Sequence, residues 1–124
     1  MVNKRSHEPV FWSLFGAGGV TIAFIFPMLI LITGITYPLG LLPTEALSYE
    51  RMIAFGSAWF GKFFILAVIS LSFWHGAHRI YHSLHDIGVE KNSWQPWFFY
   101  GSAAIGTVVT IVLLQMLPVP ITPV

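Results

Sequence analysis

The chain has 124 residues, of which 56% are hydrophobic and only 9% charged, with a formal net charge of +1. A typical soluble protein carries about 25% charged residues, and a chain of this size could not cover its surface with so few, which excludes a soluble globular monomer. The small, dispersed positive charge leaves no patch to neutralise a phosphate backbone, so no nucleic-acid partner is expected, and the lack of cysteine excludes disulfides, thiolate nucleophiles and iron–sulfur ligation by this chain alone.

No charged residue lies between Glu8 and Glu45, a run well beyond the roughly 20 apolar residues that span hydrocarbon as a helix. The first membrane span is predicted over residues 10–37. It is too long for the core of a signal peptide and lacks a cleavage site after a short apolar run. At its start, Trp12, Phe15, Gly16 and Gly19 share an arc of about 100° on a helix. Two aromatic faces beside two missing side chains make a flat slot, with the indole N–H of Trp12 as a donor. Small residues in membranes equally serve the close approach of another helix, so the slot alone does not decide between ligand and helix.

Between Glu45 and Lys62 the pattern changes. Glu50, Arg51 and Lys62 project to one side of a helix, and Met52, Ile53, Trp59 and Phe60 to another. This predicts an interfacial amphipathic segment leading into the second span, placed at residues 58–82.

The end of the second span holds four of the five histidines: His75, His78, His82 and His85 fall within an arc of about 80°, which Arg79 and Asp86 extend to about 120°. His82, His85 and Asp86 are placed at headgroup depth, where water and lipid phosphates meet them. His78 and Arg79 lie a turn deeper, where an ionisable group costs roughly 2.5–3.5 kcal/mol and therefore faces a partner, water or a ligand. Histidines on one face of one helix cannot supply both axial ligands of a haem, and Arg79 would repel a metal held by its neighbours. No metal site is expected.

The third span is predicted over residues 94–117, ended by Pro118, Pro120 and Pro123. The chain thus reads as an all-α membrane protein, one domain over 1–124 with three transmembrane helices. Phe11, Trp12, Tyr37, Trp59, Phe60, Trp94, Trp97 and Tyr100 mark the interfaces. Three spans put Lys4, Arg5, Arg79 and Lys91 on one side and Arg51, with Lys62 just inside the helix, on the other. The excess predicts a cytoplasmic N-terminus and a periplasmic C-terminus. Both constellations then face the cytoplasmic side and together suit a flat, apolar, oxygen-bearing ligand such as a quinone.

The runs Glu8-Pro9-Val10-Phe11-Trp12, Leu14-Phe15-Gly16-Ala17-Gly18-Gly19, Ala46-Leu47-Ser48-Tyr49-Glu50-Arg51, His78-Arg79 with its following histidines, and Phe99-Tyr100-Gly101 resemble the D-subunit family of bacterial fumarate reductase. The likeness covers essentially the whole chain in order. It implies a small anchor in the bacterial inner membrane, without a catalytic centre of its own. Together with a second membrane anchor, the C-subunit of fumarate reductase, it would attach a flavoprotein subunit and an iron–sulfur subunit to the membrane. It further implies a menaquinol site shared with those partners, to which this chain contributes Trp12, Phe15, Gly16, His78 and Arg79, and it implies no haem.

His75 and the proline-rich tail depart from the family pattern, and an added histidine is what a haem-binding variant would need. One rival function is therefore a haem b-binding anchor of a succinate dehydrogenase-like complex, which requires a ligand from another chain. A second is a small transporter component, against which stand the absence of an inverted repeat and of any acidic residue deep in a span.

Overall fold

The computed structural model describes residues 8–118, and among these there is no strand. Helix α1 runs over Glu8–Ile30 and continues as a π-helical stretch over Leu31–Thr36. Helix α2 is Tyr49–Ser57, α3 is Trp59–Asp86 and α4 is Trp94–Gln115. Three stretches are long and apolar enough to cross a membrane: Pro9–Thr36, Trp59–Asp86 and Trp94–Gln115. Lys4, Arg5, Pro120 and Pro123, on which the expected charge bias and helix stop partly rest, lie outside the described residues.

Pro27 interrupts the hydrogen-bond ladder of α1, because it has no N–H to donate and its ring crowds the carbonyl one turn back. The wider turn follows in the next residues, where the Tyr37 N–H reaches the Ile32 carbonyl at 2.9 Å. The Thr33 and Thr36 hydroxyls donate to the Leu29 and Ile32 carbonyls at 2.8 and 3.0 Å, so the side chains close on the backbone where no water is available.

The amphipathic segment is shorter than the sequence suggests, and it is separated from the second span. A turn of Pro43–Ala46 precedes it, and Ser48 caps α2 by accepting from the Arg51 N–H. Ala58 then breaks the helix. Its backbone is extended (φ −66°, ψ 143°), its N–H closes the last turn of α2 on the Ala54 carbonyl, and its own carbonyl starts α3 by accepting from the Lys62 N–H at 2.9 Å. One residue thus ends one helix and begins the next.

Helix α3 is the centre of the bundle and packs on α1, α4 and α2. The packing is made by small groups. Gly18, Ala77 and Ala103 are buried, whereas among the described residues no large side chain is fully buried and Phe24, Trp59 and Trp97 are 72%, 82% and 83% exposed. A soluble core would show the reverse. Helices in lipid gain nothing from hiding leucine and instead bring backbones close where side chains are small. Gly18 shows the mechanism: a Cβ there would run into the Leu71 carbonyl and lie 2.6 Å from the His75 Cβ, so only glycine lets α1 lie this close to α3.

The two ends of the bundle differ. At one end the Ser57 hydroxyl donates to the Pro118 carbonyl at 2.6 Å and ties α2 to the end of α4. At the other end the start of α1, the end of α3 and the start of α4 meet. There α3 stops on Gly88, whose φ of +87° favours glycine, and the Gly88 and Val89 N–H groups close on the His85 and Leu84 carbonyls. Gln95, 3% exposed, fastens the connection that follows. Its Nε2 donates to the Glu90 carbonyl and its Oε1 accepts from the Asn92 N–H, both at 3.1 Å.

Candidate functional site

The meeting of α1, α3 and α4 leaves an open cleft of about 460 Å³, within the size range of sites for small organic ligands. Phe11 and Trp12 come from α1, His78, Tyr81 and His82 from α3, Lys91 from the connection, and Pro96 and Tyr100 from α4. A smaller, wholly apolar groove of about 320 Å³ shares Phe11, Pro96 and Tyr100 with it and adds Trp97. The pair suits a molecule with a flat polar head and an apolar tail.

Local sequence explains why these side chains converge. The i, i+4 spacing of His78 and His82 puts both rings on one face of α3, with centroids 4.3 Å apart. The short connection held by Gln95 returns the chain antiparallel, so the first turns of α4 lie beside the last turns of α3. Phe11 and Tyr100 then meet at 4.9 Å, and Trp74 stacks on Tyr100 at 6.2 Å. Because Gly18 admits α1 so closely, Phe15 reaches α3: its ring lies parallel to His75 (4.6 Å, 5°) and tilted on His78 (4.6 Å, 35°).

The polar atoms of this cluster are paired across helices. His75 Nδ1 lies 2.9 Å from the Phe15 carbonyl, which can only accept, so this nitrogen carries the proton and donates. His78 Nδ1 lies 2.9 Å from the Tyr100 hydroxyl. His75 is therefore engaged with α1, and His78 bridges to α4.

Of the residues singled out from the sequence, Trp12 and His78 are brought together in the cleft. Phe15 stands behind His78 and makes an edge contact with Trp12 at 6.1 Å. Gly16 is exposed and faces open space, and Gly18 and Gly19 are the glycines that meet His75. Arg79 is exposed and does not line the cleft, where Lys91 is the cation. Sequence reasoning did not single out Tyr100, Phe11, Tyr81 or Lys91 as site residues. The signal for the first two was available: antiparallel α3 and α4 place Tyr100 at the depth of His78, and Phe11 lies one turn from Phe15.

A family model for the D-subunit of fumarate reductase matches residues 2–115. The fumarate reductase D-subunit of Vibrio cholerae serotype O1 (strain M66-2) is 42% identical over 114 residues, which cover 92% of this chain and 88% of that protein. That of Aliivibrio salmonicida (strain LFI1238) is 40% identical over 120 residues, 94% of this chain and 100% of the relative. That of Actinobacillus pleuropneumoniae serotype 5b (strain L20) is 44% identical over 106 residues, 86% and 88% of the two chains. With a matching model over nearly its whole length and three helices able to cross a membrane, the chain belongs to the D-subunit family of fumarate reductase.

Proposed function

We propose that this anchor, together with the second membrane anchor of fumarate reductase, holds the flavoprotein and iron–sulfur subunits to the inner membrane, and that the cleft forms one wall of a menaquinol-oxidising site. The observation that carries this is the convergence of Trp12 and His78, with Tyr100 and Lys91, around a cleft continuous with an apolar groove. The charge bias of the sequence favours a cytoplasmic location for this end of the bundle, beside the catalytic subunits.

Each residue has a task that its chemistry allows. Trp12 and Tyr100 bracket a flat ring, and Phe15 fixes His78 from behind. Oxidation of a quinol releases two electrons and two protons. The His78 imidazole can take a proton from the ring, which an arginine cannot, and the charges of Lys91 in the cleft and Arg79 on the adjoining face favour the anionic forms of the ring oxygens. Gly16 and Arg79 lie open on the surface of the bundle, where partner subunits complete the site. The bond from His75 Nδ1 to the Phe15 carbonyl leaves only Nε2 for an iron, and the second axial ligand of a haem would have to come from another chain.

The test uses the assembled complex of two anchors and two catalytic subunits. Trp12→Ala removes one aromatic wall, worth roughly 1.4 kcal/mol or about a tenfold loss of menaquinol-dependent fumarate reduction, expressed mainly in KM. Fumarate reduction by a soluble artificial donor should stay at the parental rate. Ser83→Ala, exposed and outside the cleft, should change neither. A parental menaquinol rate in Trp12→Ala would remove the cleft from the quinol path.

A further inference from the structure

Among the described residues, His78 has one side-chain hydrogen-bond partner, the Tyr100 hydroxyl, at 2.9 Å from Nδ1. The other neighbours of the imidazole are the Phe15 ring from α1, His75 and His82 one turn away on α3, and Tyr81, also on α3, and Lys91, which line the same cleft. None of them is hydrogen-bonded to it. The Tyr100 ring is itself fixed, between Phe11 at 4.9 Å and Trp74 at 6.2 Å, so the hydroxyl is presented by a braced side chain.

A neutral imidazole carries one N–H and one bare nitrogen, and the partner of one nitrogen decides the state of the other. A carbonyl partner, such as His75 has, locks the donor on Nδ1. A phenol does not lock it, because it accepts from a protonated Nδ1 and donates to a bare one. With Nδ1 held by Tyr100, the nitrogen left for a ligand in the cleft is Nε2.

We propose that Tyr100 is a positioning residue for His78: it orients the imidazole so that Nε2 faces the bound quinol, and it keeps Nδ1 hydrogen-bonded before and after Nε2 takes a proton. This rests on the quinol-site reading above and adds a residue to it. In the step concerned, a quinol O–H bond breaks and an Nε2–H bond forms, while the electrons leave toward the iron–sulfur subunit. Nδ1–H donates to the Tyr100 oxygen throughout, so the positive ring never loses its partner. Tyr100 does not need to touch the quinol for this.

The experiment compares menaquinol oxidation by the assembled complex carrying Tyr100→Phe, His78→Gln or both, with soluble-donor activity as the measure of assembly. Tyr100→Phe keeps the ring and removes one neutral hydrogen bond, so kcat should fall about three- to tenfold with KM within about twofold of the parent. In the His78→Gln background the same substitution should cost nothing further, because the residue it acts through is gone. Equal losses in both backgrounds would reduce Tyr100 to a packing residue and overturn the proposal. If His78→Gln lowers the rate and Tyr100→Phe does not, the positioning role falls and the quinol site stands. If neither lowers it, the quinol site falls too. Should the phenylalanine variant fail to assemble, 3-fluorotyrosine at position 100 keeps ring and hydroxyl but makes the phenol more acidic. It should alter kcat in the parent and not with His78→Gln, and an unaltered parental kcat would overturn the proposal.

Discussion

Gly16 and Gly18 stand two residues apart in one glycine-rich run and do opposite things. Nothing lies within 4 Å of a Cβ added at Gly16, whereas one added at Gly18 meets backbone and the root of His75. Gly16→Ala should therefore leave this chain's packing intact and gain about 0.5–1 kcal/mol of helix stability. Gly18→Ala should lose roughly 1–3 kcal/mol through overpacking and push α1 away from α3. Thermal denaturation of the detergent-solubilised complex separates them: Gly18→Ala should melt earlier and Gly16→Ala should not. Loss of menaquinol oxidation in a normally stable Gly16→Ala complex would put a ligand or partner directly on that open surface. From the sequence, Gly16 and Gly19 share an arc with Trp12 and Phe15 and Gly18 does not, yet Gly18 and Gly19 are the ones that meet α3. Only the direction from which α3 arrives tells them apart, and helical spacing does not contain it.

The helices themselves were largely legible, because charge-free runs of this length have one stable state in hydrocarbon, and the three stretches come out where the apolar runs lie. The amphipathic segment was less so. Alanine at position 58 carries no breaker signal, and the break follows from how α2 must fold back on α3, a tertiary requirement. The connection before α4 falls where the sequence places it, but what fastens it was not legible, since a glutamine next to a tryptophan at a helix start reads as surface. Gln95 is instead buried, with its amide oxygen and nitrogen both bonded to the connection. Gln95→Glu retains an acceptor for the Asn92 N–H but faces the Glu90 carbonyl with oxygen in place of an N–H donor. Leaving that carbonyl unpaired should cost about 1–3 kcal/mol. Faster hydrogen exchange over residues 88–94, with α1 and α2 unchanged, is the expected signature. Because Lys91 sits on the same connection, menaquinol oxidation should weaken with it.

On the scale of the whole molecule, what the bundle leaves outside matters more than what it buries. Its large apolar side chains face outward, and its polar stripe of His78, Arg79 and His82 is only partly answered by Tyr100. Ionisable groups facing lipid are costly, so the chain produced without the second anchor should be degraded or aggregate. Co-production with that anchor should restore it, as read by the amount of membrane-integrated chain on a blot. A stable monomer in mild detergent would contradict this. The resemblance in the sequence was enough to name the family, but the cleft needed the antiparallel return of α4, which joins residues more than 80 positions apart.

The uneven distribution of titratable side chains along the bundle has an energetic consequence for the cell. From Phe63 to Trp74, about 18 Å along α3, none is present, and the spanning part of α1 and the length of α4 beyond Tyr100 have none either. The histidines and Tyr100 lie at the end that holds the cleft, and Lys62 and the acidic residues around α2 lie beyond the gap at the other. On the proposed reading, protons released from a quinol in the cleft leave at that end, because the titratable-free middle of the spans offers them no side-chain relay to the opposite face. On that reading, an anchor of this kind passes electrons on without itself conducting protons through its spans, so its own share in turnover leaves the membrane uncharged.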